Sequence, residues 1–177
     1  MSDLLTSDPG ATHHLRAIRV WLALFIAGLV LSGVTAFPLQ TEVHGLNQLL
    51  HTDALRPIAA FTHLLPWIDR VDQALTQTLH QFPFLAYGTD WLAFAHLVIA
   101  IAFVGPWRDP VRNQWVITFG LIACAGVLPL ALIAGPVRGI PFAWRCIDCS
   151  FGVIGCLPLL IARRHIRALE SLAATEL

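Results

Sequence analysis

Five consecutive residues, Arg145-Cys146-Ile147-Asp148-Cys149, place two thiols, a cation and a carboxylate at the mouth of an apolar run. A C-x-x-C at a helix start is the spacing of thiol–disulfide exchange, because the helix N-terminus and a nearby arginine favour the thiolate. The same spacing suits two small residues that pack well, or an inert disulfide. Arg145 and Asp148 are three apart, so on a helix they can pair and latch the end of the run. Arg138, in the turn "AGPVRGIP", can join them, which opens a second reading as an anion or carboxylate site. The histidines form the other set. His44 and His51 are seven apart and share a helix face, with Glu42 and Asp53 close by, and His96 is the ionisable residue within an apolar stretch. Histidine ligates metals and haem. Yet no H-E-x-x-H or H-x-x-x-H is present, so Glu42, His44, His51 and His96 stand either as ligands or as interfacial side chains bonded to water and headgroups.

Positioning these groups falls to four apolar blocks. The chain has 177 residues, 56% of them apolar and 12% charged, about half the charge of a soluble domain. The blocks predict membrane spans at about 20–37, 91–107, 115–134 and 145–162. About 20 residues of helix cross a hydrocarbon core, so three blocks suffice outright and the second relies on flanking tryptophans. The fold class expected is an all-α integral membrane protein, with 1–177 as one polytopic domain. Net charge is zero and all 11 basic residues are arginine, which gives no reason to expect a nucleic-acid partner.

Arginines set the orientation. With the N-terminus cytoplasmic, the inner segments hold seven arginines in 44 residues and the outer ones four in 65. The positive-inside rule therefore puts both termini in the cytoplasm, and the tryptophans fall at the two interfaces. The expected location is a bacterial inner membrane. A competing reading takes the first block and "VTA" at 34–36 as a cleaved secretory signal.

Residues 38–90 are too long for a simple connection and carry their own periodicity. Ile68, Val71, Leu75, Leu79 and Phe82 recur at threes and fours, which predicts an amphipathic helix over 66–82, with Asp69 and Asp72 off the stripe near its start. A second helix is expected from Thr41 or Glu42 to about Leu55, where Pro57 turns Arg56 away from helix, and "FPFLAYG" reads as an extended link. The whole segment is thus read as an outer helical cap. Within the spans, Gly28/Ser32, Gly120/Cys124 and Gly152/Cys156 are small pairs four apart and predict close helix approach, and Pro129 and Pro158 predict kinks.

Four spans, an outer helical segment, and Cys146 and Cys149 opening the last span are together similar to the vitamin K epoxide reductase family. That resemblance implies a quinone site among the helices, with Cys146 and Cys149 as its redox pair. Residues 38–90 contain no cysteine where that family carries a second pair, so electrons would come from a separate extracytoplasmic thiol protein. Without the resemblance, the sequence reads as a non-enzymatic accessory or small-solute-binding membrane protein, held in the lipid bilayer and open to a partner membrane subunit. The alternatives are a thiol oxidoreductase using quinone, and a haem or metal protein using the outer histidines.

Overall fold

A computed structural model describes residues 9–175, which are 88% helical and contain no strand. Helix α1 is Pro9–Ala36, α2 Leu39–Leu50, α3 Arg56–Phe61 and α4 Leu64–Gln81. A 3₁₀ turn, Pro83–Ala86, leads into α5, Tyr87–Ala102, followed by the short α6, Val104–Arg108. Then come α7, Gln114–Pro129, a wide π turn at Leu130–Ala134, the single turn α8, Gly135–Val137, and α9, Phe142–Thr175.

Four stretches are long and apolar enough to cross a membrane: Gly10–Ala36, Pro83–Arg108, Gln114–Val137 and Phe142–Leu172. Only 17–22% of the most apolar part of each is buried, so their apolar surface is turned outward. That is the reverse of a water-soluble helix, and it suits backbones whose hydrogen bonds are met internally while side chains meet hydrocarbon. The expected blocks are all present, and each crossing stretch is longer than its block. Both α1 and α9 continue well past the apolar run at the end that holds the chain termini, because arginine-rich turns there keep helical propensity.

Packing is sequential across a row. Helix α1 lies against α5 and α9, and α9 against α1 and α7. The main core sits in the half of the bundle nearest the termini, where Ile18 and Leu22 meet Phe103, Ile117, Leu159 and Ile166. Phe103 is the hub. Its ring lies 4.7 Å from that of Phe25 on α1, and its tip crowds Gly120 of α7 beside Leu159 of α9. In the other half the close approaches are pairwise. A Cβ at Gly33 would come within 2.9 Å of the Ala93 carbonyl, and one at Gly152 within 2.6 Å of the Cys124 carbonyl. Gly28 differs from the sequence expectation, having nothing within 4 Å of its Cβ position; Gly33, five residues on, makes the contact.

The segment between the first two spans is mostly helical, broken by turns at 51–55 and 62–63, and three details depart from expectation. Pro57 starts a helix instead of ending one, since Arg56–Phe61 takes proline in its first turn, where its missing N–H is no loss. The "FPFLAYG" link is a 3₁₀ turn running straight into α5, not an extended strand. Helix α4 starts at Leu64, two residues early, behind His63 in a left-handed conformation (φ 58°) that turns the chain back from α3. Pro129 ends the regular part of α7 and passes into the π turn, whereas Pro158 leaves α9 unbroken.

Candidate functional site

The α2–α4 hairpin is joined by a polar seam. Gln40, His44 and Asn47 of α2 and His51, which caps its C-terminus, recur at fours and threes, so one face carries them all. They meet Thr76, Asp72 and Asp69 of the antiparallel α4. Gln40 donates to the Thr76 hydroxyl (3.4 Å), Asn47 Nδ2 donates to Asp72 Oδ2 (2.9 Å), and His44 Nδ1 lies 3.1 Å from the same oxygen. Gln48 Nε2 is 3.0 Å from His44 Nε2. One arrangement satisfies both ring nitrogens of His44: Gln48 donates to Nε2, and Nδ1–H donates to the carboxylate, while Asp72 Oδ1 and Asn47 Oδ1 stay buried without a protein partner. His51 gives its Nδ1–H to the Asn47 carbonyl (2.9 Å) and turns Nε2 toward Asp69 at 3.6 Å.

Asp72 is therefore a buried polar residue on the inward face, not an exposed first-turn carboxylate. Its carboxyl is held below the usual carboxylate range. The Asn47 hydrogen bond is the largest cause, the His44 hydrogen bond the next, and burial opposes both. The sign follows. A depressed folded-state pKa adds stability at pH values above the unfolded carboxylate pKa, about 3.9, and that stability is lost as pH falls through the folded value. Below pH 4 the hairpin is expected to loosen while the spans persist. Amide exchange should show α2 and α4 losing protection in acid, with Asp72→Ala losing it already at neutral pH. Equal protection in the wild type and the variant at neutral pH would refute the role given to Asp72.

The candidate ligand residues do not converge. His44 and His51 are engaged in the seam, and Glu42, about half a turn before His44, is exposed. His96 is on α5, where its Nδ1–H donates to the Leu92 carbonyl (2.8 Å) and its Cβ side faces Gly33. Among the described residues no group of three His, Cys, Asp or Glu side chains is placed to hold a metal. Nor does His44 look like a general base. Its Nε2 is occupied by Gln48, so no ring nitrogen is left to face a substrate.

Arg145 and Asp148 do not pair either; the ion pairs among the described residues are His44–Asp72 and His51–Asp69. A helical side chain leans toward the N-terminus, away from i+3. Arg145 accordingly lays its stem over Gly135, where a Cβ would be 2.4 Å from Cδ, and puts its guanidinium 5.4 Å from the Phe142 ring centre. Its Nε is buried without a protein partner. Arg138 is exposed on the turn after α8. Cys146 is exposed and Cys149 half-buried, and both thiols are free.

Two features had no flag in the sequence. One is a histidine cluster at the terminal end, where His14 Nδ1 and His165 Nδ1 are 2.8 Å apart and His13 stacks edge-on beside them. One nitrogen must donate and the other accept, so this contact ties α1 to α9 through a single proton. The other is a cleft of about 350 Å³ where the α1–α2 turn, the end of α4 and the start of α5 meet. Phe37, Pro38, Leu39, Leu75, Leu79 and Leu85 form its apolar body, and Gln40, Thr41, Thr78 and Thr89 supply the polar groups. No charged side chain and no histidine lines it. Compared with known proteins, the chain matches no family model, no curated protein and no solved structure.

Proposed function

We propose that the protein is a non-enzymatic, four-span component of a bacterial inner membrane that holds a small uncharged amphiphile in the cleft beneath its α2–α4 hairpin. Both termini are cytoplasmic in this reading, as the arginine bias favours. The hairpin is then an amphipathic cap at the extracytoplasmic surface, with the seam inside it and the apolar face of α4 toward the bundle and headgroups. The cleft carries the proposal. Its volume lies within the range of small-molecule sites, and its lining is apolar with a few hydroxyl and amide groups, which is the usual make-up of such sites. A charged ligand would find no counter-ion there. A molecule with one apolar chain and an uncharged oxygen-bearing head would fit, entering sideways from the outer leaflet. An accessory role beside a partner membrane subunit is compatible with that, since much apolar surface is turned outward.

The test uses thiols placed on two faces of α4. Thr78→Cys points into the cleft, and Gln73→Cys sits on the exposed face. In intact cells an impermeant maleimide is expected to label both, with the modified site identified by peptide mass. A short-chain monoacylglycerol should slow labelling at Thr78→Cys by about tenfold, a difference of 1.4 kcal/mol in occupancy, and leave Gln73→Cys unchanged. A labelling rate at Thr78→Cys that the lipid leaves unchanged would end the binding proposal. Labelling that needs permeabilised cells would end the orientation.

A further inference from the structure

The histidine contact between α1 and α9 has a chemical limit. His14 Nδ1 and His165 Nδ1 are 2.8 Å apart, with both side chains half-buried and the ring centres 5.1 Å from each other. At that distance one nitrogen donates and the other accepts. The neutral pair meets this condition. So does the pair with one extra proton, because the donor ring can take it on Nε2. A second extra proton puts N–H on both facing nitrogens, which leaves no acceptor and sets two like charges against each other. The closed contact therefore holds one proton fewer than the separated histidines can.

The surroundings do not offset a second charge. His13 stands edge-on to both rings, 5.5 Å from His14 and 6.2 Å from His165 between centres, and adds a third imidazole. Three and four residues away along the two helices, at 10, 11, 17, 18, 161, 162, 168 and 169, there is no ionisable side chain. The charges that α1 and α9 carry around this point are Arg16 and Arg19, then Arg163, Arg164 and Arg167. Helix α6, packed on α1, brings Arg108, whereas α5 and α7 bring no charged side chain to this end. Among the described residues the carboxylates here are Asp109 and Glu170, and both are engaged elsewhere. Asp109 accepts from the Arg112 backbone N–H, and Glu170 accepts from Gln114 of α7.

We propose that His14 and His165 form a proton-operated latch, which holds the terminal end of α1 against α9 at neutral pH and releases it in acid. The sign comes from counting protons. Below the ordinary histidine pKa of about 6.5 the open form binds one proton more than the closed form, so opening gains as the pH falls through that region. A difference of one proton shifts the opening equilibrium by up to about tenfold per pH unit. Release uncovers Ala11, Ile166 and Leu169, which are buried beside the latch. Leu22, Phe103 and Leu159 stay packed further in, so the opening is local. In the orientation proposed above, the latch reads cytoplasmic pH. It lies at the opposite end of α1 from the amphiphile cleft, and the two proposals stand or fall separately.

The test uses the full-length protein in lipid nanodiscs with nitrogen-15-labelled histidine, and His14→Gln for comparison. Glutamine offers His165 both a donor and an acceptor but takes no proton, so a charged His165 can still bond to it. In the wild type, the His14 and His165 signals should titrate in two steps at least about one pH unit apart. In His14→Gln, His165 should titrate in a single step. Deuterium uptake over 9–17 and 163–172, corrected for the intrinsic pH dependence of exchange, should rise by up to about tenfold from about pH 6.5 to about pH 5.5 in the wild type. It should stay flat in the variant, and α5 and α7 should stay flat in both. If His14→Gln fails to fold, His165→Gln takes its place, with His14 as the observed signal. A rise of equal size in both proteins, no rise in the wild type, or two histidines titrating together in one step would overturn the latch.

Discussion

Phe103→Ala is expected to be the most damaging single substitution in the bundle. Phe103 is wholly buried at the end of α5, with Phe25, Gly120 and Leu159 around its ring. Removing the ring leaves a cavity that three other helices would all have to shift to fill. Phe→Ala in a soluble core costs about 3–5 kcal/mol. The low end of that range, about 3 kcal/mol, is expected here, because a helix that separates within lipid meets chains as apolar as leucine and no transfer to water is regained. Trp115 is larger but 70% exposed, and Trp115→Ala should change stability by less than about 0.5 kcal/mol. Denaturation of the purified protein in mixed micelles measures both. Equal effects would mean that Phe103 does not hold the helices together.

Gly152→Ala is expected to come second, through a different mechanism. The added methyl would sit 2.6 Å from a backbone carbonyl, and a helix backbone cannot turn aside as a side-chain tip can. The helices α7 and α9 must separate, at a cost of about 1–3 kcal/mol, typical of overpacking. Gly28→Ala is the control. Its Cβ position is open, and alanine is the better helix former by about 1 kcal/mol, so no loss is expected. If Gly152→Ala proves as harmless as Gly28→Ala, α7 and α9 do not approach as described.

These two positions show what the sequence can and cannot reveal. Four membrane-length helices were legible because runs of 14 to 23 apolar residues have few other uses. Small pairs four apart marked Gly120 and Gly152 correctly as contacts but gave Gly28 where the structure uses Gly33. Spacing identifies a face; which face meets a neighbour depends on helices distant in sequence. Asp72 was missed for a related reason. Its charge suggested water, but its position beside Ile68 and Val71 turns it inward, and Asn47 and His44 make burial tolerable. Only the antiparallel register of α2 and α4 brings those partners within reach. Arg145 and Asp148 had the right spacing to pair, but Gly135 and Phe142 give the arginine stem and guanidinium another surface. The His14–His165 contact spans 151 residues, and no local pattern can announce it.

That same pairing of the first span with the last bears on how the molecule is made. Of the described helices α1 leaves the ribosome first, and one of its two main neighbours, α9, follows all the others. Until α9 arrives, Ile18 and Leu22 lack Leu159 and Ile166, and lipid must cover that face of α1. The α2–α4 hairpin, whose partners are close in sequence, is free to form early. Closure of the row is therefore a late event with high contact order, and it should be the slow step of assembly.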